Sequence, residues 1–347
     1  MEPKDKIFVT GGTGFIGSRL VEELVRRGHQ VRALSRQTKP EPPPGFGWTD
    51  GGPLAQAQVE LVRGDITDAQ SVLRGMEGCA YVFHLAAYAK NWARDPSTFF
   101  EINVQGMRNV FDAVKRLGVK RVVWTSSIVT LGWTRPGEVG NEDMPRITDR
   151  YFHEYEETKT IAEKEAVRAA EDGFPVVVVN PTRVYGPGRL TEGNAVSRLI
   201  DLYDRGKAPF LLNRGVNVGN YVLVDDVVQG LIMALEKGRI GQRYILGGEN
   251  ATLKRFFQVI DEVSGKRHFQ LPLFRLMPLL FAHFQQKRAQ WFNIYPEITP
   301  AWVRSFLVDM AFSSEKAQRE LGYRPTPLVE GIRITYEWLQ RVRKEQA

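Results

Sequence analysis

Apolar residues in the first half of the chain follow two alternating patterns. Short apolar or β-branched runs, typical of buried strands, occupy residues 6–10, 30–35, 59–63, 81–85, 121–125 and 176–179. Longer stretches with helical spacing of apolar positions lie between them, at residues 15–27, 69–76, 99–117 and 154–170. Strands that alternate with helices form a parallel sheet covered on both faces. The pattern therefore predicts an α/β protein with a Rossmann-type, doubly wound parallel sheet.

The alternation of strands and helices becomes less regular after residue 181. Helical patterns at 194–205 and 224–237 and a strand at 244–246 are followed by helices with proline-rich joints. We predict a dinucleotide-binding domain made of residues 1–181 plus 218–247. A smaller, mostly helical substrate-binding lobe then comprises 182–217 plus 248–347. Prolines and glycines crowd residues 37–58, which predicts a long surface loop.

Composition narrows the class of protein further. Of 347 residues, 43% are hydrophobic and 25% charged, which is typical of a globular protein. Cys79 is the only cysteine, so an intramolecular disulfide is excluded. The net charge is +7, but no nucleic-acid-binding motif accompanies it, and the dispersed histidines predict no metal site. The sequence has no leader pattern or apolar span long enough for a bilayer, so we expect a cytoplasmic protein without a transmembrane segment.

A glycine-rich loop directly follows the first predicted strand and opens the first helix. Gly11 permits a tight turn, Gly14 lets the backbone approach a pyrophosphate, and Gly17 allows close packing of helix on sheet. This position at the start of a βαβ unit is what dinucleotide binding requires. The predicted cofactor contacts in the loop are Gly11, Thr13, Gly14, Phe15, Ile16 and Gly17.

Further motifs appear in a specific order along almost the whole chain. They are Gly64-Asp65-Ile66, His84-Leu85-Ala86-Ala87, Thr125-Ser126-Ser127, Tyr155-x-x-x-Lys159 and Val224-Asp225-Asp226-Val227. With the glycine loop, they resemble the extended short-chain dehydrogenase/reductase superfamily, of the NAD-dependent epimerase/dehydratase type. The overall sequence is similar to dihydroflavonol-reductase-like and 3β-hydroxysteroid-dehydrogenase-like members.

The end of the second strand selects the cofactor in such proteins. NAD enzymes carry an acidic residue there, whereas this chain has Ser35 and Arg36, followed by Lys39. A guanidinium can hold a 2′-phosphate by charge-assisted bonds, so we predict NADP(H), with NAD(H) as the alternative. The resemblance implies further cofactor contacts at Asp65, Ile66, Leu85, Ala86, Ala87 and Pro181. For Asp65, a role in forming a turn is an equal alternative.

Tyr155 and Lys159 lie four residues apart, so they share one face of a helix. A nearby ammonium lowers the pKa of a tyrosine, and the same lysine can bind the nicotinamide ribose. The resemblance places a second hydrogen-bond donor at Ser127. Asn103 is predicted to order a water near Lys159, with a buried structural amide as the alternative.

The fold supports several reactions, so the choice depends on individual positions. Ile128 and Val129 stand where dehydratases of this type carry an acidic pair, and residues 218–221 lack the arginine common in nucleotide-sugar enzymes. We therefore predict an NADP(H)-dependent carbonyl reductase or alcohol dehydrogenase. An NAD-dependent sugar-nucleotide epimerase and a non-catalytic NADP-sensing module remain alternatives.

Aromatic residues within 269–306 predict the wall of a pocket for a small, mostly apolar substrate, with Phe284 and Trp291 in its farther part and Tyr185 in its nearer part. A lobe core or the contact face of a homodimer would give the same composition.

Overall fold

The computed structural model describes residues 5–37, 58–188, 190, 192–208 and 210–346. Its strands are β1 (Lys6–Thr10), β2 (Gln30–Ser35), β3 (Val59–Arg63), β4 (Tyr81–His84), β5 (Arg121–Thr125), β6 (Val176–Pro181), β7 (Arg183–Tyr185), β8 (Phe210–Leu212), β9 (Val218–Leu223), β10 (Arg243–Leu246), β11 (Glu249–Thr252) and β12 (Leu271–Leu273). Its α-helices are α1 (Phe15–Arg26), α2 (Ala69–Met76), α3 (Ser97–Phe100), α4 (Gly106–Leu117), α5 (Glu154–Glu171), α6 (Ala195–Asp204), α7 (Val224–Lys237), α8 (Leu253–Ser264), α9 (Leu276–Phe292), α10 (Pro300–Ser305), α11 (Glu315–Leu321) and α12 (Leu328–Gln346).

The main sheet of the described chain has seven strands in the order β10-β6-β5-β4-β1-β2-β3, and all neighbouring pairs are parallel. Both of its faces are covered. In β6, Val177 and Val179 belong to the core beneath α1 and α7, whereas Val176 and Val178 belong to the core beneath α2, α4 and α5. An uninterrupted apolar strand is stable only where both faces are buried. The predicted fold class, a doubly wound α/β sheet with a smaller C-terminal part, is confirmed.

Local boundaries differ from the predicted ones by a few residues. The helix predicted at 99–117 begins at Ser97 and contains a π-helical turn at Glu101–Gln105 between α3 and α4. Of the predicted loop at 37–58, residues 38–57, which include Lys39, lie outside the described residues. Among the helices that the structure describes, none has the length and apolar character needed to cross a membrane.

A second, smaller group of elements packs at the carboxyl end of the main sheet. There β9 pairs in parallel with β7 and antiparallel with β11, and β8 pairs with β12. The predicted domain containing residues 218–247 thus includes β9, which joins the smaller sheet, as well as β10, which joins the main sheet. In turn, α11 packs against α7 and β10, although the prediction assigned it to the substrate lobe. The domain boundaries stay a prediction.

The buried side-chain amide of Asn220 joins the segments that connect the main sheet with the smaller group of elements. The Oδ1 atom of Asn220 accepts hydrogen bonds from the Thr182 hydroxyl and the Gly248 N–H, each at 2.8 Å. Its Nδ2 atom donates to the Asn250 Oδ1 atom at 2.8 Å and to the Phe312 carbonyl oxygen at 3.1 Å. Because a buried amide must be bonded on both of its ends, this residue fixes the relative positions of four segments.

Candidate active site

Close backbone contacts shape the glycine loop between β1 and α1. Gly11 has a φ of +75°, and a Cβ atom there would lie 2.6 Å from the Ala86 nitrogen. A Cβ atom at Gly17 would lie 2.1 Å from the carbonyl oxygen of Gly11. The first turn of α1 therefore packs tightly under the loop and leaves its N–H groups free to bind an anion. This geometry fits the pyrophosphate of a dinucleotide.

A cavity of about 610 Å³, the central cavity, opens beside this loop at the carboxyl ends of the main strands. Its wall contains most of the predicted catalytic and nicotinamide-side residues, namely Gly11, Gly14, Phe15, Ile16, Gly17, Leu85, Ala87, Ser127, Tyr155, Lys159 and Pro181. A second cavity of about 360 Å³, the β2-side cavity, shares the loop with it. Its wall contains the remaining predicted cofactor residues, Thr13, Ser35, Arg36, Asp65, Ile66 and Ala86. The fold thus brings these distant motifs to one edge of the sheet.

Asp65 lines the β2-side cavity but also forms a turn. Its Oδ1 atom accepts hydrogen bonds from the Thr67 backbone N–H and the Thr67 hydroxyl, each at 2.9 Å. The alternative turn-forming role is therefore present in the structure, and this oxygen is already occupied by its own loop.

The Ser127 and Tyr155 side chains lie together on the wall of the central cavity. Burial raises the pKa of Tyr155, and the Ser127 hydroxyl partly offsets that effect. Tyr155 lies in the first turn of α5, where the Nδ1 atom of His153 accepts the Glu156 N–H at 3.0 Å and so caps the helix. Thr125 and Ser126 line the cavity too.

Lys159 is buried beside this pair. Its Nζ atom donates a hydrogen bond of 2.7 Å to the Thr125 carbonyl oxygen and lies 4.6 Å from the centre of the Trp124 ring. Burial lowers the pKa of Lys159 to about 7, although the carboxylate of Glu163 opposes this shift. Burial and Ser127 are the causes that set the pKa of Tyr155, and its expected lowering by Lys159 stays a prediction.

The pKa of Lys159 predicts a stability change in the alkaline range. An unfolded lysine has a pKa of about 10.4, so between about pH 7 and pH 9 the unfolded chain binds a proton that the folded chain does not. The free energy of unfolding must then rise with pH. We expect the Tm of the cofactor-free protein to increase by a few degrees over this range, measured by calorimetry, and Lys159→Met to flatten the increase. The same slope in both proteins would contradict the assignment.

Asn103 lies apart from the cavities that hold the other predicted residues. It is 3% exposed on the π-helical turn. Its Oδ1 atom accepts the Tyr88 N–H at 2.7 Å, and its Nδ2 atom donates to the Thr158 hydroxyl at 3.0 Å. Both ends of the amide are thus used to join the loop after β4 to α5, which corresponds to the structural alternative rather than to a water-ordering role.

Comparison with known proteins gives this arrangement a family. Residues 7–247 match the sequence profile described as the NAD dependent epimerase/dehydratase family. The chain belongs to this family. It is accordingly an oxidoreductase of the extended short-chain dehydrogenase/reductase type, for which a nicotinamide dinucleotide is the expected cofactor.

Relatives match the chain over nearly its full length. A Synechocystis protein with the provisional name dihydroflavonol 4-reductase is 30% identical, over 97% of this chain and 95% of its own. A 3 beta-hydroxysteroid dehydrogenase/Delta 5→4-isomerase of Mycobacterium tuberculosis is 29% identical, over 92% of this chain and 86% of its own. The crystal structure of gox2253 has a TM-score of 0.78 at 31% identity and covers 97% of this chain and 98% of that one.

Next to Ser127 lies a network of buried polar side chains that was not predicted from the sequence. Asn180 Nδ2 donates to the Ser127 carbonyl oxygen at 3.1 Å and to the Glu163 carboxylate at 2.6 Å. Arg243 Nη1 in turn lies 3.2 Å from the other oxygen of Glu163. The network fixes the backbone of Ser127. The sequence signal for this network was Asn180, a single amide near the end of the otherwise apolar strand β6. A buried amide needs hydrogen-bond partners.

Residues from both parts of the chain also meet over the central cavity. Glu192 accepts the Asn91 N–H at 3.2 Å and is hydrogen-bonded to the Tyr295 hydroxyl. The Lys90 ammonium lies 5.4 Å from the centre of the Tyr88 ring and 5.8 Å from that of Tyr295. These contacts join residues far apart in sequence, so no local pattern could indicate them.

A third cavity, of about 430 Å³, lies between the residues before Tyr155 and the helices α9 and α10, and we call it the α9-side cavity. Its wall contains His283, Gln286, Gln290, Arg94 and Arg304, together with His153 and Glu154.

The predicted aromatic wall is wrong in its details. Phe284 is 64% exposed and Trp291 is 75% exposed, on the side of α9 that faces away from the core. Tyr185 is fully buried in the smaller part of the protein, and its neighbour Val184 lines the central cavity instead.

Proposed function

We propose that the protein is an NADP(H)-dependent carbonyl reductase or alcohol dehydrogenase. The observation that carries the proposal is that Ser127, Tyr155 and Lys159 line the same cavity as the glycine loop. A proton donor and a second hydroxyl at one point suit a carbonyl oxygen that gains charge.

Each group of residues has its own role in the proposed hydride transfer. The glycine loop binds the pyrophosphate, Lys159 binds the nicotinamide ribose, and the bound cofactor supplies or accepts the hydride. Tyr155 donates a proton to the substrate oxygen in the direction of reduction and takes it back in oxidation. Ser127 donates a hydrogen bond to the same oxygen and stabilises its developing charge, held in place by Asn180.

The preference for NADP rests on the end of β2. Arg36 is exposed and lines the β2-side cavity together with Thr13 and Ser35. No carboxylate occupies residues 35–37, where an NAD enzyme would bind the ribose hydroxyl. The Ser35 hydroxyl accepts the Gln37 N–H at 3.1 Å, which leaves its proton available to a phosphate oxygen.

Two positions support net reduction or oxidation over the alternative reactions. Ile128 is buried in an apolar cluster with Met310 and Phe312, so the place of a dehydratase's acidic pair is filled by core residues. The stretch 218–221 is a strand whose Asn220 is fully engaged in internal hydrogen bonds, and it offers no cation to a nucleotide diphosphate. The names of the two curated relatives, a reductase and a dehydrogenase, point the same way.

The lining of the α9-side cavity refines the substrate class. Its arginines, Arg94 and Arg304, and its glutamines favour a polar or anionic group on the substrate. The central cavity adds apolar contacts from Leu85, Ala87 and Val184. We therefore propose a ketone with a largely apolar body and a polar or anionic substituent remote from the carbonyl.

The test is a substrate panel with the full chain. NADPH or NADH is mixed with a 3-oxosteroid, a 2-alkyl-3-oxoalkanoate or the methyl ester of that acid, and oxidation of the nicotinamide is followed by absorbance, with the alcohol identified by mass spectrometry. We expect NADPH-dependent formation of alcohol, faster with the acid than with its ester. Interconversion of UDP-sugars without net oxidation of cofactor would establish the epimerase instead. Tight cofactor binding without turnover on any compound would support the sensing module.

A further inference from the structure

Helix α9 presents a row of large apolar side chains that neither the core nor the cavities use. Leu276, Met277, Leu280, Phe281, Phe284 and Trp291 are between 50% and 75% exposed. Residues three and four apart on a helix are neighbours, so the first five of these side chains form one continuous surface, and Trp291 follows it beyond Lys287 and Arg288. Soluble monomers rarely expose an apolar surface of this extent unless it binds something.

The other faces of α9 already have partners. Pro278, Ala282, Gln285 and Ala289 form the buried stripe that packs on the smaller part of the protein. On a neighbouring flank, His283, Gln286 and Gln290 line the α9-side cavity. The apolar row is therefore a third face, separate from both the core and the proposed substrate site.

The charged residues of the segment that carries this face are all of one sign. The sequence has no Asp or Glu between Glu262 and Glu297, whereas it has exposed cations at Arg267, Arg275 and Lys287. Arg214, from the segment after β8, lies over the Phe274 ring at 5.6 Å and adds a further cation. An apolar row on a segment that carries cations and no acid is complementary to a bilayer interface that contains anionic lipids.

We propose that α9 and the segment before it bind the surface of a membrane containing anionic phospholipids. The helix lies in the interfacial plane, with its apolar row among the acyl chains and Arg275 and Lys287 at the phosphates. Trp291 is suited to the interface itself, where aromatic side chains are enriched.

A second copy of the chain is a poorer occupant of this face. In a symmetric contact each residue meets the same surface of the partner. Arg275 and Lys287 would then approach cations of the other copy, and the segment 263–296 has no acid to pair with them. A membrane surface supplies the missing negative charge.

The proposal is tested by flotation of the full chain with vesicles of two compositions. One is phosphatidylcholine alone, and the other contains about one third phosphatidylglycerol, enough to give a strongly negative surface. We expect binding to the anionic vesicles that is about tenfold or more tighter than to neutral ones and that weakens with salt.

Substitutions separate the apolar from the electrostatic contribution. The double change Phe281→Ser and Phe284→Ser leaves the charge unaltered and is expected to lower binding to anionic vesicles by about tenfold or more, because it removes apolar area that would be buried among the acyl chains. The matched control is Val139→Ser, which alters an apolar residue that is 59% exposed in a different segment and should bind like the parent protein. Changing Arg275 and Lys287 to Gln should remove the preference for anionic vesicles.

Three results would overturn the proposal. The parent chain fails to bind either vesicle, or the Phe281/Phe284 variant binds as tightly as the Val139 control, or the parent chain is a dimer that this variant dissociates. The last outcome would assign the face to a second copy. Ketone reduction in detergent-free solution, measured in parallel, is independent of all three, so failure here and failure of the proposed enzymatic function are distinguishable.

Discussion

Replacing Tyr155 by Phe is expected to reduce turnover by about 100-fold or more while the cofactor affinity stays within a few-fold. The change keeps the packing of the ring but removes the proton that the substrate oxygen receives. An interaction made only in the transition state lowers kcat and kcat/KM together. Steady-state kinetics on an active ketone, with cofactor binding titrated separately, measures both quantities.

Tyr151→Phe is the matched control for this experiment. Tyr151 lies four residues before Tyr155, ahead of the start of α5. Its ring packs on the Arg146 guanidinium at 4.9 Å, and it lies outside the wall of the central cavity. Its variant should retain the parent rate. If Tyr155→Phe also keeps a near-normal rate, Tyr155 is not the proton donor and the proposed chemistry is wrong.

Replacing Arg36 by Asp is expected to weaken NADPH binding by about 100-fold or more and to leave NADH binding unchanged or improved. The substitution removes one charge-assisted bond to the 2′-phosphate and adds a repulsive carboxylate at the same place. Only NADP carries that phosphate, so the effect must be selective. Fluorescence titration with each cofactor gives the two affinities directly.

The control uses a second exposed arginine near the same edge of the sheet. Arg63 ends β3, beside β2, but does not line the β2-side cavity. Arg63→Asp makes the same change in net charge and should affect both cofactors little. Equal losses of NADPH and NADH affinity in Arg36→Asp would show that Arg36 does not select the cofactor.

Features governed by short-range pattern were predictable from the sequence. The periods of apolar residues identified the strands of the main sheet, because a strand buried on both faces is apolar at every position. The glycine loop and the spacing of Tyr155 and Lys159 are local as well, and a helix brings residues four apart to one face. Only the local geometry is needed to place such residues at one site.

Features that depend on which distant segment packs against an element were not predictable from local sequence patterns. The aromatic content of α9 indicated an important surface, but composition cannot tell which face of a helix turns to the cavity. In the structure that face carries His283, Gln286 and Gln290, and the aromatic residues point outward. Likewise, the prediction placed residues 218–247 in the domain of the main sheet, but the sequence could not show that β9 within them pairs with β7 and β11 instead.

The buried amide of Asn220 has a consequence for how the protein unfolds and moves. It bonds to Thr182, Gly248 and Phe312, which lie where the chain crosses between the two sheets. Pulling the smaller sheet away would leave these buried groups unpaired, at about 1–3 kcal/mol for each group. We therefore expect the two sheets to unfold as one cooperative unit and rigid-body hinge motion between them to be suppressed. Admission of a substrate must come instead from the contacts above the cavity, where Glu192 and Tyr295 join the two parts through a few exchangeable side chains.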